Sequence, residues 1–298
     1  MNVRARIRAW SDPWGYVAIY LGWAWAFWTV VIASGESVWT FPNVVLFYIG
    51  SISPALAGVV MVARTAGRSG LRELWDRIRS PRRIRLRWYA VIVLLYPTLT
   101  VLAALIVRIV GASDTPLLDP AGTVERLTTP LSLVAFLGFT LGAGLVEETG
   151  STGFFLDRLM KHYVPGMAGL ISGVVWASWH IPLFFMNDYY GQASFEPIPW
   201  RFFATFVFLE IIYAWIYDNT RRSVQAAVLF HLMINLTGEV LAPSQPVRWA
   251  TFALTILTAL ALVAWERRRS RAGTPRDQDA RFVSDRPPPR PRTPSDRA

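Results

Sequence analysis

The chain contains no cysteine. Disulfides and thiolate-held zinc are therefore excluded. It also contains no H-E-x-x-H and no G-x-S-x-G, so the zincin helix and the serine elbow both lack their motifs. Histidine is scarce, with three in all: His162, His180 and His231. Charge is scarce inside the apolar runs. No internal repeat relates the two halves, and the acids and histidines within apolar runs all lie from Glu147 onward. A single site is easier to reconcile with that asymmetry than a pseudo-symmetric transport pathway.

What is present is apolar sequence. Of 298 residues, 53% are hydrophobic, gathered into runs long enough to cross about 30 Å of hydrocarbon. The predicted fold class is all-α, a polytopic membrane protein. Eight spans are expected, near Trp14–Ser34, Phe41–Val62, Trp88–Val110, Leu131–Phe155, Gly166–Met186, Phe202–Tyr217, Val224–Leu241 and Trp249–Trp265. The first run follows Arg4, Arg6 and Arg8 and superficially resembles a signal peptide; its length and tryptophans make it a retained span. The net charge of +10 is a topology signal rather than a nucleic-acid signal. With a cytoplasmic N-terminus, 26 of the 30 basic residues fall in segments assigned to the cytoplasm. Both termini are therefore expected there, in a cell membrane of bacterial inner-membrane type. Asp114, Asp119, Glu125, Asp188 and Glu196 fall in the outer loops.

Two segments stand apart from the spans. Leu71, Leu74, Trp75 and Ile78 recur at helical spacing, with arginine and acid on the other face. They predict either an amphipathic helix in the cytoplasmic interface or an ordinary polar loop helix. Residues 266–298 are basic and proline-rich, and are expected to form a disordered tail after a membrane domain of residues 1–265.

The run Val146 to Leu156 places Glu147 and Glu148 side by side within the fourth span. A charge at that depth costs roughly 2.5–3.5 kcal/mol on insertion scales, so such residues are functional by default. His180 lies in the fifth expected span, and His231 with Asn235 in the seventh. At helical rise, Glu147 lies roughly 16 Å from the cytoplasmic boundary, His180 roughly 22 Å, and His231 and Asn235 roughly 13–20 Å. One shared layer inside the bilayer is therefore available to all of them. His231 and Asn235 are i and i+4 and face the same way, as do Trp176 and His180. Glu147 and Glu148 lie about 100° apart, so one is expected to face substrate and the other to support it. Gly138, Gly142 and Gly144, with Gly166, Gly169 and Gly173, predict close approach of the fourth and fifth spans. Glu210 is a further acid within the sixth span, outside these spacings, and is assigned no chemistry. The bland alternatives are buried ion pairing for the glutamates and interhelical hydrogen bonding for His231 and Asn235.

Glu147-Glu148 with Gly153, Trp176 to His180, and His231 to Asn235 together resemble the motifs of the CPBP intramembrane proteases, the CAAX-processing and bacteriocin-processing family. The resemblance is close from Leu131 to Gly238. It implies an intramembrane endopeptidase in which Glu147 activates water with help from His180. His231 and Asn235 would stabilise the oxyanion, and Glu148 would support the site. The cavity is expected to open toward the cytoplasm. The implied partners are membrane lipids and a peptide or lipidated membrane-anchored substrate, with no nucleic acid. No cofactor is certain; a divalent metal such as zinc, if present, would take Glu147, His180 and His231. Thr152 stands where the family often has arginine, which reads either as a variant or as a mark of lost activity. The alternatives are an inactive relative serving as a membrane binding or immunity protein, and a proton-coupled transporter.

Overall fold

The computed structural model describes residues 3–112, 116–121, 124, 128, 130–191 and 197–271. Its regular elements are all helical among these residues. They are α1 (Val3–Ser34), α2 (Asn43–Ser51), α3 (Ser53–Arg79), α4 (Leu86–Ile109), α5 (Pro130–Gly150), α6 (Pro165–Trp179), α7 (Pro199–Asn219), α8 (Val224–Leu241) and α9 (Gln245–Arg271), with short connecting turns. Seven helical segments among the described residues are long and apolar enough to cross a membrane. The fourth expected span is α5, 21 residues packed against α3 and α8. The chain is thus a multi-pass membrane protein. The positions beyond Arg271, and Asp114, Glu125 and Glu196, lie outside the described residues.

Local chemistry explains where the helices break. The second span is α2 joined to α3, with Pro54 in the first turn of α3. Proline supplies no amide hydrogen to continue α2, but fits the first turn of a new helix. Farther along α3, Gly67 has φ +60° and ψ −152°, a conformation suited to glycine, and the helix changes direction there. The amphipathic segment follows that kink. Leu74 is buried, but Trp75 is exposed although the pattern puts it on the same apolar face, and Arg77 is buried rather than solvated. Its guanidinium donates to Asp157 Oδ1 at 3.2 Å, to Tyr217 Oη at 2.5 Å and to the Gly153 carbonyl at 2.8 Å. Arg222 also donates to Asp157. This polar knot docks the segment beneath the bundle and ties α3, α7 and the start of α8 to the turn Asp157–Leu159.

The bundle has two distinct ends. At one, Arg83 bonds the Arg221 carbonyl, Arg221 bonds the Arg82 carbonyl, Arg158 bonds Thr65, and the Gly166 amide bonds Glu266. This is the arginine-rich end. At the other, Val38 and Trp39 bond Asn187 and Asp188, and Asp119 and Ser244 bond Leu241 and Leu117. An aromatic core made by Tyr16, Tyr20 and Trp28 of α1 backs α6. Trp179 stacks on Tyr20 at 5.8 Å, packs on Trp28 at 4.8 Å and donates to Ser53 Oγ at 2.9 Å.

The small-residue expectation needs correction. A Cβ on Gly169 or Gly173 would meet the α7 backbone at 2.6 Å, so these glycines seat α6 on α7 rather than on α5. Gly138 and Gly142 have open space around them. Gly144 is the informative position, because a Cβ there would lie 3.2 Å from His231 Cβ and 3.3 Å from the Val228 carbonyl. It brings α5 against α8.

Candidate active site

A cavity of about 490 Å³ is lined by Glu147, Trp176, His180, His231 and Asn235, among others. The predicted residues from α5, α6 and α8 thus meet at one space, except Glu148, which sits behind it. Trp39, Tyr189, Pro197 and Pro243 line its outer part. Those residues belong to the end opposite the arginines, so the cavity opens there. Both sequence expectations, an arginine-rich cytoplasmic end and a cavity opening toward it, cannot hold together.

The helix ends explain how each side chain is held. His180 caps α6, and its amide bonds the Ala177 carbonyl at 3.1 Å rather than the carbonyl four residues back. That leaves the Trp176 carbonyl, one of the orphan acceptors of a helix C-terminus, for the His180 ring at 2.9 Å from Nδ1. A carbonyl only accepts, so Nδ1 carries the hydrogen. The neutral ring then offers Nε2 as an acceptor. Phe206 stacks on the imidazole at 4.3 Å and 16° and fixes its plane.

Trp176 serves a second partner through its side chain. The indole Nε1 donates to Glu147 Oε2 at 2.7 Å, leaving Oε1 for the cavity. One residue therefore orients both Glu147 and His180. The sequence marked Trp176 only as the aromatic four residues before His180, on the same face. Nothing in the sequence shows which way its indole points.

Glu148 is fully buried and faces α8. Its Oε1 lies 2.9 Å from His231 Nδ1. Its Oε2 accepts from Thr152 Oγ1 at 2.5 Å; Ser151 Oγ lies 3.2 Å from the same oxygen, but its one hydrogen has a shorter acceptor in the Glu147 carbonyl at 2.7 Å. The chain widens into a π-helical turn at Ser151–Leu156, directly after the two acids. Such turns shift side-chain phase and recur at functional sites. The turn places both hydroxyl oxygens near Glu148, although straight-helix spacing puts Ser151 on the face of Glu147 and its shorter bond is to the Glu147 carbonyl. A carboxylate accepts when ionised and donates when protonated, so this contact allows two arrangements. With one proton shared between Glu148 and a ring that keeps Nε2–H, the pair is neutral and Nε2 donates; with Nδ1–H on a neutral ring beside an ionised Glu148, Nε2 accepts. In the first arrangement the two imidazoles present opposite roles to the same cavity.

Glu210 is fully buried but does not line this cavity; it packs against Gly173 of α6. His162 is exposed in the turn before α6. No group of three His, Asp or Glu side chains among the described residues is arranged to hold a metal ion. Glu147 and the two histidines share the space but are not placed as such a group.

A sequence model for the Rce1-like family, described as type II CAAX prenyl endopeptidase Rce1-like, matches residues 129–237. That stretch contains Glu147, Glu148, His180, His231 and Asn235. CAAX prenyl protease 2 of Methanococcus maripaludis is 26% identical to this chain over 256 residues, covering 85% of the chain and 92% of the relative.

Proposed function

We propose that this chain, a multi-pass membrane protein similar to the Rce1-like CAAX proteases, is such a protease and cuts a peptide bond held in the α5–α6–α8 cavity. The meeting of Glu147, His180, His231 and Asn235 at one cavity carries the reading. Glu147 Oε1, with the acceptor Nε2 of His180 beside it, takes a proton from water. The hydroxide adds to the peptide carbonyl carbon. The new oxyanion accepts hydrogen bonds from His231 Nε2–H and the Asn235 amide, donors set where charge develops. Glu147 then returns its proton to the leaving nitrogen as the C–N bond breaks. Glu148 holds His231 in its donor state. Thr152 keeps a hydroxyl on Glu148 where an arginine would stand, which favours the variant reading over the inactive one.

The substrate is a membrane-anchored peptide, with a prenylated peptide as the first chemistry to test. If the arginine-rich end is cytoplasmic, the substrate enters from the opposite side of the cell membrane. Cleavage of a quenched fluorescent peptide panel, including a farnesylated member, by wild type and Glu147→Ala tests the reading. Activity lost in the variant supports it, whereas equal cleavage by both proteins removes Glu147 from the mechanism. A chelator arm decides whether a metal contributes.

A further inference from the structure

We propose that Arg201 anchors an anionic group at the cavity mouth, namely the C-terminal carboxylate of the peptide being cut. Four basic residues lie outside the arginine-rich segments: Arg108, Arg126, Arg201 and Arg248. Two of them, Arg201 and Arg248, line this cavity. Arg248 shares the mouth with Glu239, which offsets its charge, and its Nε donates to the Pro243 carbonyl at 2.8 Å. Arg201 differs. No carboxylate among the described residues lies within ion-pair distance of it, although it is only 5% exposed.

Its guanidinium is held from two sides. Nη2 donates to Gln245 Oε1 at 2.9 Å, and the plane sits over Trp249 at 4.7 Å. Nη1 is buried with no hydrogen-bond partner. A buried donor without an acceptor costs about 1–3 kcal/mol, more when charged. A carboxylate supplies that acceptor in the fork geometry that arginine matches best. Arg201 also lies in the first turn of α7, where the helix dipole adds positive potential.

The spacing indicates which anion fits. Phe206, stacked on His180, is five residues farther along α7, so Arg201 lies roughly 7.5 Å nearer the mouth at helical rise. Extended peptide covers roughly 3.3 Å per residue. A carboxylate on Arg201 therefore places a carbonyl beside His180 about two or three residues from the peptide's end. The inference rests on the proteolytic reading for the identity of the anion. A lipid phosphate offers the same anionic oxygens.

The test is binding, not cleavage. Full-length Glu147→Ala protein in phosphatidylcholine nanodiscs is titrated with a fluorescent farnesylated peptide ending in a free acid, and with its carboxamide twin. The acid is expected to bind at least tenfold more tightly. That preference should fall to within twofold in Arg201→Gln, with amide binding unchanged, and survive in part in Arg201→Lys. Arg201→Lys keeps the charge and supplies the comparison if Arg201→Gln does not fold. Equal binding of acid and amide overturns the proposal, as does a preference that persists in Arg201→Gln. Loss of the preference when phosphatidylglycerol is added reassigns Arg201 to lipid phosphate and overturns the peptide carboxylate. Because hydrolysis is not read, a failure of the protease reading and a failure of this subsite remain distinguishable.

Discussion

Replacing Trp176 with phenylalanine isolates one hydrogen bond in the candidate site. The His180 ring is held by the Trp176 backbone carbonyl, which the substitution leaves in place. The phenyl ring keeps most of the packing against Phe206 and Tyr213, whose centroids lie 4.2 and 5.8 Å from the Trp176 ring. What disappears is the indole donor on Glu147 Oε2. A hydrogen bond to a charged group contributes about 1.5–3 kcal/mol. If it holds Glu147 aimed at water through the transition state, kcat should fall roughly ten- to hundredfold with KM nearly constant. The smaller ring also leaves a void, so thermal stability should drop by about 1–2 kcal/mol. Steady-state kinetics on a cleaved peptide, with a thermal melt of the same preparation, separates the two effects. A folded Trp176→Phe protein with kcat within twofold of wild type refutes the positioning role. A rise in KM alone assigns Trp176 to binding.

Four further outcomes are expected. Gly144→Val should force α5 from α8, lowering stability by about 1–3 kcal/mol and activity at least tenfold, while Gly138→Ala, with open space around it, should do neither; melts and kinetics on both variants check this. Thr152→Val removes a hydroxyl from Glu148 and should reduce activity roughly tenfold, with Thr152→Ser restoring most of it. Burial raises the Asp157 carboxyl, but the charges of Arg222 and Arg77 outweigh it and leave the pKa lowered. The Asp157 contribution is therefore complete above the unfolded value near 4, is lost as pH falls through the lower folded value, and should be missing in Asp157→Asn, at a cost of about 3–5 kcal/mol at pH 7; melts between pH 3 and 7 show it. Because the chain has no native cysteine, single cysteines report sidedness directly. An impermeant maleimide should label Gly191→Cys in intact cells and Arg82→Cys only after permeabilisation; the reverse pattern makes the cavity face the cytoplasm.

Helical class and the meeting of the candidate site residues follow from local chemistry; eight spans are expected from the sequence, and seven helical segments among the described residues are long and apolar enough to cross a membrane. Apolar length demands helices in a bilayer, because backbone groups there have no water to bond. Glu147, Glu148, His180, His231 and Asn235 were each legible because a polar group in such a run needs a reason to be there. Other features depend on how helices rotate and end. The sequence spaces Ser151 with Glu147, yet the π-helical turn also brings its hydroxyl oxygen to 3.2 Å from Glu148 Oε2 while it bonds the Glu147 carbonyl. The glycines of α6 read as a seat for α5 and instead hold α7. Arg77 reads as solvated and is buried on Asp157, a partner 80 residues away. Periodicity states which residues share a face; it does not state what that face meets. The two imidazoles look equivalent in sequence. The tertiary structure distinguishes them by setting one against a carbonyl that can only accept and the other against a carboxylate with which it can share a proton.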